Sequence, residues 1–261
     1  MSEHPLDAPE ITSKLFYPRR AKQGSSDYPY AKDGLIPVDA EVSLGYRYFP
    51  VQSAKRVVLY FHGNGEVAAD YDFIAPLYLA TGTAMLVVDY RGYGWSSGQP
   101  LTTTLLSDAE AVLPELEAIL GDAATLPRYI MGRSLGSAPA THLAHSVQER
   151  FTGLIIEAGF ADMPSVFRRL QIPVDLSKIS DMPIGNARRM QEIAIPTLVI
   201  HGEDDFLLPV ENGQKLYDAA AAIQKTLVRI PGAGHNDLLS RRAQPIYFDA
   251  LKRFFATVEQ G

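Results

Sequence analysis

Six short runs along the chain are apolar at nearly every position: RVVLYF (56–61), AMLVVDY (84–90), RYIMG (128–132), GLIIEA (153–158), TLVIHG (197–202) and TLVRIPG (226–232). They are rich in β-branched residues. Runs of this length that are apolar on both faces predict strands covered by helices on both sides, as in a mainly parallel sheet. A seventh segment, AEVSLGYRYF (40–49), alternates through Val42, Leu44, Tyr46 and Tyr48 and predicts a strand by its period of two. Between the runs the period lengthens. Leu105, Ala109, Val112, Leu113, Leu116 and Leu120 follow helical spacing, with a kink or break expected at Pro114. Leu216, Ala219, Ala220 and Ile223 form a second helical stripe, and Leu251, Phe254, Phe255 and Val258 a third. Strand alternating with helix from residue 56 onward predicts a doubly wound α/β domain. Residues 1–39 are rich in Pro, Gly, Ser and Tyr, show no long period, and predict an irregular N-terminal arm packed on a domain of residues 40–261. No internal repeat or low-complexity tract interrupts the pattern.

Composition narrows the chemistry. The 261 residues are 46% hydrophobic and 21% charged, as in a globular protein large enough to bury about 70% of its unfolded surface. There is no cysteine, which excludes disulfides, thiolate metal sites and a cysteine nucleophile. The net charge is −6, and the basic doublets Arg19-Arg20, Arg168-Arg169, Arg188-Arg189 and Arg241-Arg242 stand isolated among acids. They read as solvated faces, and no nucleic-acid partner is expected. No run approaches the ~18 apolar residues of a membrane span, and the polar start MSEHPLDAPEITSKLFYPRR lacks the apolar core of a signal peptide. The default expectation is a cytoplasmic location with no transmembrane segment. Oligomeric state is not readable from the sequence.

The segment YIMGRSLGSA (129–138) sets Ser134 between Gly132 and Gly136, where a strand pattern gives way to a helix pattern. A sharp strand-to-helix turn strains its apex residue and needs small neighbours, so G-x-S-x-G at this point predicts a serine raised to the C-terminal edge of the sheet. The backbone N–H of Leu135, directly after it, is then one oxyanion donor. A serine nucleophile needs a base and an orienting carboxylate, which on such a fold follow in the order Ser, Asp, His. LVIHGEDDFLLP supplies Asp204 and Asp205 just beyond one strand, and VRIPGAGHNDLL supplies His235 just beyond the next. Of the other histidines, His4 lies in the polar tail and His142 and His145 lie well along the helix after the serine. Dispersed histidines without cysteines predict no metal. DYRGYGWSSG lacks the G-x-G-x-x-G spacing and there is no P-loop, so no nucleotide or other cofactor is expected.

The motifs HGNGE (62–66), DYRGYGWSSG (89–98), GRSLGS (132–137), HGEDD (201–205) and GAGHND (232–237), spread over roughly residues 40–258, resemble those of the α/β-hydrolase fold superfamily. They are most similar to its small-capped serine hydrolases, a group that includes protein-depalmitoylating thioesterases. The resemblance implies an eight-stranded-type, mainly parallel sheet with helices on both faces and a short helical cap, here within 160–195. Its His-Gly-x-x-Asp spacing selects Asp205 over Asp204, gives His62 and His201 structural roles, and makes the N–H of Asn64 the second oxyanion donor. It implies hydrolysis of a small-molecule carboxylic ester or thioester through an acyl-enzyme on Ser134. An acyltransferase or C–C-bond hydrolase with the same triad, and a non-catalytic binding protein on this fold, are the alternatives. In the cap, Met163, Val166, Phe167, Leu170 and Ile172 are expected to form an apolar acyl-side wall, with Arg168 and Arg169 turned to solvent.

Overall fold

Each of the seven segments becomes a strand in the computed structural model, which describes residues 4–175 and 184–260. The chain divides into two compact units. The first runs to Arg128 and includes the segment from Leu170. It contains α1 (Pro9–Leu15), β1 (Lys32–Pro37), β2 (Ser43–Phe49), β3 (Arg56–Phe61), α2 (Ala75–Leu79), β4 (Thr83–Val88), α3 (Thr104–Glu110) and α4 (Leu116–Leu120). Its strands lie in the order β1-β2-β4-β3. The β3–β4 pair is parallel, and β2 pairs antiparallel with both β1 and β4. Every residue of β3 and β4 is buried, as continuous apolar runs require. The stripe from Leu105 to Leu120 is also buried throughout, although the helix breaks: a 3₁₀ turn at Leu113–Glu115 carries Pro114 between α3 and α4. Proline removes the backbone donor there, while the hydrophobic face keeps its direction.

The N-terminal region departs from the irregular arm that its composition suggested. It holds helix α1 and strand β1, which pairs with β2 in register Gly34↔Tyr46. Gly34 and Pro37 weaken the strand signal of KDGLIP. A Cβ on Gly34 would overlap the Tyr46 ring, so the aromatic lies directly over the glycine and supplies the packing surface the strand lacks. Pro37 is the last residue of this edge strand, where a missing donor is tolerated.

The second unit contains β5 (Arg128–Arg133), α5 (Ser137–Ser146), β6 (Gly153–Glu157), α6 (Met163–Arg169), α7 (Asn186–Met190), β7 (Thr197–Gly202), α8 (Glu211–Ala219), β8 (Lys225–Ile230) and α9 (Gln244–Gln260). Strands β5, β6, β7 and β8 pair in that order, all parallel. The α9 stripe packs Phe255 edge-on against Tyr129, with ring centroids 4.7 Å apart. Helix α8 begins earlier than its stripe suggested and ends at Ala219, leaving Ile223 fully exposed. Its buried Gly213 is a close-approach site, because a Cβ there would come within 2.8 Å of His201 Nδ1. Of the expected cap, α6 and α7 are seen, and 176–183, with Pro183, lies outside the described residues. Pro164 sits at the second position of α6, where proline costs no helical bond. Among the described residues no helix is long and apolar enough to cross a membrane.

Candidate active site

Strand β5 ends at Arg133, and Ser134 follows with φ +51°, a left-handed conformation that non-glycine residues adopt at a cost of about 1–3 kcal/mol. The chain turns through a 3₁₀ segment, Ser134–Gly136, into α5. Gly132 is required by contact: a Cβ there would lie 2.1 Å from Gly136 O and 2.7 Å from Ala140 Cβ. The turn is held from beneath. Ser137 Oγ donates to Ser134 O (2.6 Å), Asn186 Nδ2 donates to Ser137 Oγ (3.1 Å), and the same Nδ2 donates to Phe160 O (3.0 Å).

Beyond β7 the chain also depends on a glycine. A Cβ on Gly202 would sit 2.2 Å from Ala233 O, so the loop after β7 and the loop after β8 approach backbone to backbone. Asp204 N donates to Ala233 O at 3.0 Å across the same junction. These two loops carry Asp205 and His235. Asp205 is 4% exposed. Its Oδ1 accepts from the backbone of Leu207 (2.9 Å) and Leu208 (2.7 Å), and its Oδ2 lies 2.7 Å from His235 Nδ1. His201 Nε2 donates to Leu208 O (2.7 Å) and lies 3.3 Å from Asp205 Oδ2. Burial alone pushes the Asp205 carboxyl up. The hydrogen bonds from His201, His235 and Leu208 outweigh it and hold Asp205 well below the usual carboxylate range. An ionised carboxylate only accepts, so His235 Nδ1 carries the proton and the Nε2 lone pair is free to face Ser134 Oγ, 2.9 Å away. Ser134, His235 and Asp205 thus form one hydrogen-bonded chain. Asp204 is exposed and makes no side-chain hydrogen bond to a described residue.

Arg133, which the sequence did not single out, ties this chain together. Its Nε pairs with buried Glu157 (3.0 Å), and its terminal nitrogen donates to His235 O (3.0 Å) and Asn236 Oδ1 (2.9 Å). Tyr247 OH donates to the other Glu157 oxygen at 2.7 Å. One side chain beside Ser134 therefore holds the histidine loop, and α9 holds its counter-ion. The only hint in the sequence is the glutamate ending an otherwise apolar strand run.

The remaining expected residues fall in different settings. Leu135 is buried in the turn after Ser134. Asn64 belongs to the first unit, where its Nδ2 donates to Leu15 O (2.7 Å) and its Oδ1 accepts from Tyr17 N (2.9 Å) and Tyr93 OH (2.6 Å). His62, fully buried, lies 3.1 Å from Asp89 and donates from Nδ1 to its neighbour's carbonyl. Met163 and Phe167 are only 1% and 2% exposed. They serve as packing of α6 and offer almost no surface to a substrate. Leu170 is half-buried and counts with the first unit.

A glycine-flanked serine at a strand-to-helix turn, with parallel strands that deliver Asp and His in order, defines the α/β-hydrolase class. The chain belongs to the family described as serine aminopeptidase, S33 (Hydrolase_4), whose model matches residues 52–180 and 185–240. It is a serine hydrolase. An uncharacterized protein of Mycobacterium tuberculosis is 33% identical over 241 residues, 88% of this chain and 81% of that protein. The lysophosphatidylserine lipase ABHD12 of Danio rerio is 32% identical over 189 residues, 65% of this chain and 48% of the lipase, so the match spans about half its length. Among solved structures, the Pyrococcus furiosus esterase Pf2001 superposes with a TM-score of 0.74 at 19% identity, over 92% of this chain and 98% of the esterase, a likeness of fold.

Proposed function

We propose that this chain hydrolyses carboxylic esters, thioesters among them, through an acyl-enzyme on Ser134. The observation that carries the reading is the Ser134–His235–Asp205 chain with the histidine tautomer fixed by an ionised Asp205. Ser134 Oγ attacks the acyl carbon as its proton passes to His235 Nε2. The N–H of Leu135 stabilises the oxyanion, with that of Asn64 as second donor by the motif resemblance. The imidazolium, paired with Asp205, then protonates the leaving alcohol or thiolate, and the bond between acyl carbon and leaving group breaks. Water repeats the sequence on the acyl-enzyme, with His235 again as base, and releases the carboxylic acid. The names of the relatives, a lipase and an esterase, support ester chemistry.

The test is labelling by a fluorophosphonate probe together with turnover of 4-nitrophenyl esters. Ser134→Ala is expected to abolish labelling and to lower turnover by about 10⁴-fold or more. A variant that still labels, or that turns over esters at the parent rate, rules the assignment out. Labelling of the parent without hydrolysis points to an acyltransferase.

A further inference from the structure

A groove with a cavity volume of about 360 Å³ lies among α6, the loop that holds Asp205 and the start of α8. Its lining brings three cations together, Arg168 and Arg169 from α6 and Lys215 from α8, against a single acid, Glu211. In a chain of net charge −6 this is a local reversal of sign. Arg168 and Lys215 form no ion pair with a described residue. Arg169 donates to Phe206 O, which ties its guanidinium to the acid loop. All three side chains are exposed, and their summed positive potential at the groove attracts an anion. The other wall is apolar, made by Leu207, Leu208 and Pro209. Leu207 in the lining is 44% exposed, and Phe206, its neighbour in the chain whose carbonyl accepts from Arg169, is 80% exposed, so an isobutyl group and a phenyl ring of this loop stand uncovered. The same loop is hydrogen-bonded to the reaction centre, because Leu207 N and Leu208 N donate to Asp205 Oδ1.

Cations on one wall and apolar surface on the other suit an anionic amphiphile. We infer that this groove binds a phosphate or carboxylate group, and that the group is the headgroup of the ester substrate, whose adjoining apolar part lies along Phe206 and Leu207. Arg168 and Arg169 present planar forks that match two oxygens of such a group, and Lys215 adds a point charge from the facing helix. The inference rests on the ester-hydrolase reading for its substrate and on the groove alone for its anion.

The experiment uses the full chain and two esters of one acyl chain, octanoylglycerol and octanoylglycerol phosphate, both below their micellar concentrations. The quantity read is the ratio of kcat/KM for the phosphorylated ester to that for the neutral one, measured within each variant so that general losses of folding or activity cancel. The parent ratio is expected to exceed one and to shrink as salt is added. Arg168→Glu and Lys215→Glu are each expected to lower it by about two- to fivefold, the size of a solvent-exposed charge pair. A ratio near one in the parent, or one that both reversals leave unchanged, overturns the headgroup assignment. Inorganic phosphate separates the two sources of anion. If it raises Tm in the parent and not in Arg168→Glu/Lys215→Glu while the ratio stays flat, the groove takes a free anion. If it has no effect and the ratio is flat, the groove is not an anion site. Failure to turn over 4-nitrophenyl acetate would instead sink the ester-hydrolase reading, and phosphate stabilisation alone would then decide the groove.

Discussion

Asp205 and Asp204 are adjacent, chemically identical and set in opposite environments. Asp205 is buried under two backbone donors and two imidazoles, whereas Asp204 faces solvent. The expected cost of Asp205→Asn is about 10³–10⁴-fold in kcat, because an amide can donate to His235 Nδ1 and leaves Nε2 protonated toward Ser134. Asp204→Asn is expected to retain most activity. Steady-state kinetics on a soluble ester ranks the two, and the reverse order would move the acid to Asp204. Position after the strand does not separate them, since both follow β7; the motif's His-Gly-x-x-Asp spacing and the apolar-then-proline sequel FLLP select Asp205. Ser134 was more legible, because sterics leave a mark: Gly132 stands where no side chain fits, against the backbone of Gly136 and the Cβ of Ala140. Phe167 shows the opposite limit. An apolar residue above a site looks the same in sequence whether it lines a groove or packs a helix, and its 2% exposure makes it packing. Phe167→Ala is therefore expected to lower stability by about 3–5 kcal/mol in denaturant unfolding, with chain-length preference little altered.

Strands β3 to β7 were readable because burial along nearly their whole length imposes an apolar run, while β8, an edge strand only partly buried, was readable from its short apolar, β-branched segment. Strand β1 was not, because an edge strand pairs on one side only and tolerates the Gly34 and Pro37 that read as breakers. The Arg133 clamp was invisible for another reason: its partners lie 24, 102 and 103 residues away, and no local period encodes such a contact. It joins the ends of β5 and β6 to the loop after β8, so its loss is expected to act on geometry and stability separately. Arg133→Met leaves Glu157 as a buried charge without this cation and should destabilise the protein by about 3–5 kcal/mol. Adding Glu157→Gln removes that charge while keeping an acceptor for Tyr247, and should restore much of the stability. The rate should stay low in the double variant, because His235 O has still lost its donor. Recovery of kcat along with Tm would show that Arg133 acts on stability alone and does not position the histidine loop.

At the scale of the molecule, two buried carboxylates shape the response to acid: Asp205 of the site and Asp108 on α3. Asp205 is desolvated, yet its hydrogen bonds to His201, His235 and Leu208 hold its pKa well below the ordinary value. The unfolded chain therefore binds a proton at Asp205 more readily than the folded one does. The stability this contributes is complete above about pH 5 and is withdrawn as pH falls through the ordinary carboxylate range toward the native pKa. Asp108 has the opposite sign. Burial raises its pKa even though the Arg91 guanidinium sits on it at 2.7 and 2.8 Å, so its protonation favours the folded state as pH falls. The parent is expected to lose Tm between about pH 5 and pH 3, since the shift at Asp205 is the larger. Asp205→Asn lacks the proton-linked term and should show a shallower decline, whatever its Tm at neutral pH. Asp108→Asn loses an opposing term and should decline at least as steeply as the parent. Tm measured by calorimetry across that window in the three proteins decides the matter. Parallel slopes for the parent and Asp205→Asn would mean that Asp205 carries no depressed pKa, and with it would go the argument that a permanently ionised carboxylate fixes the tautomer of His235.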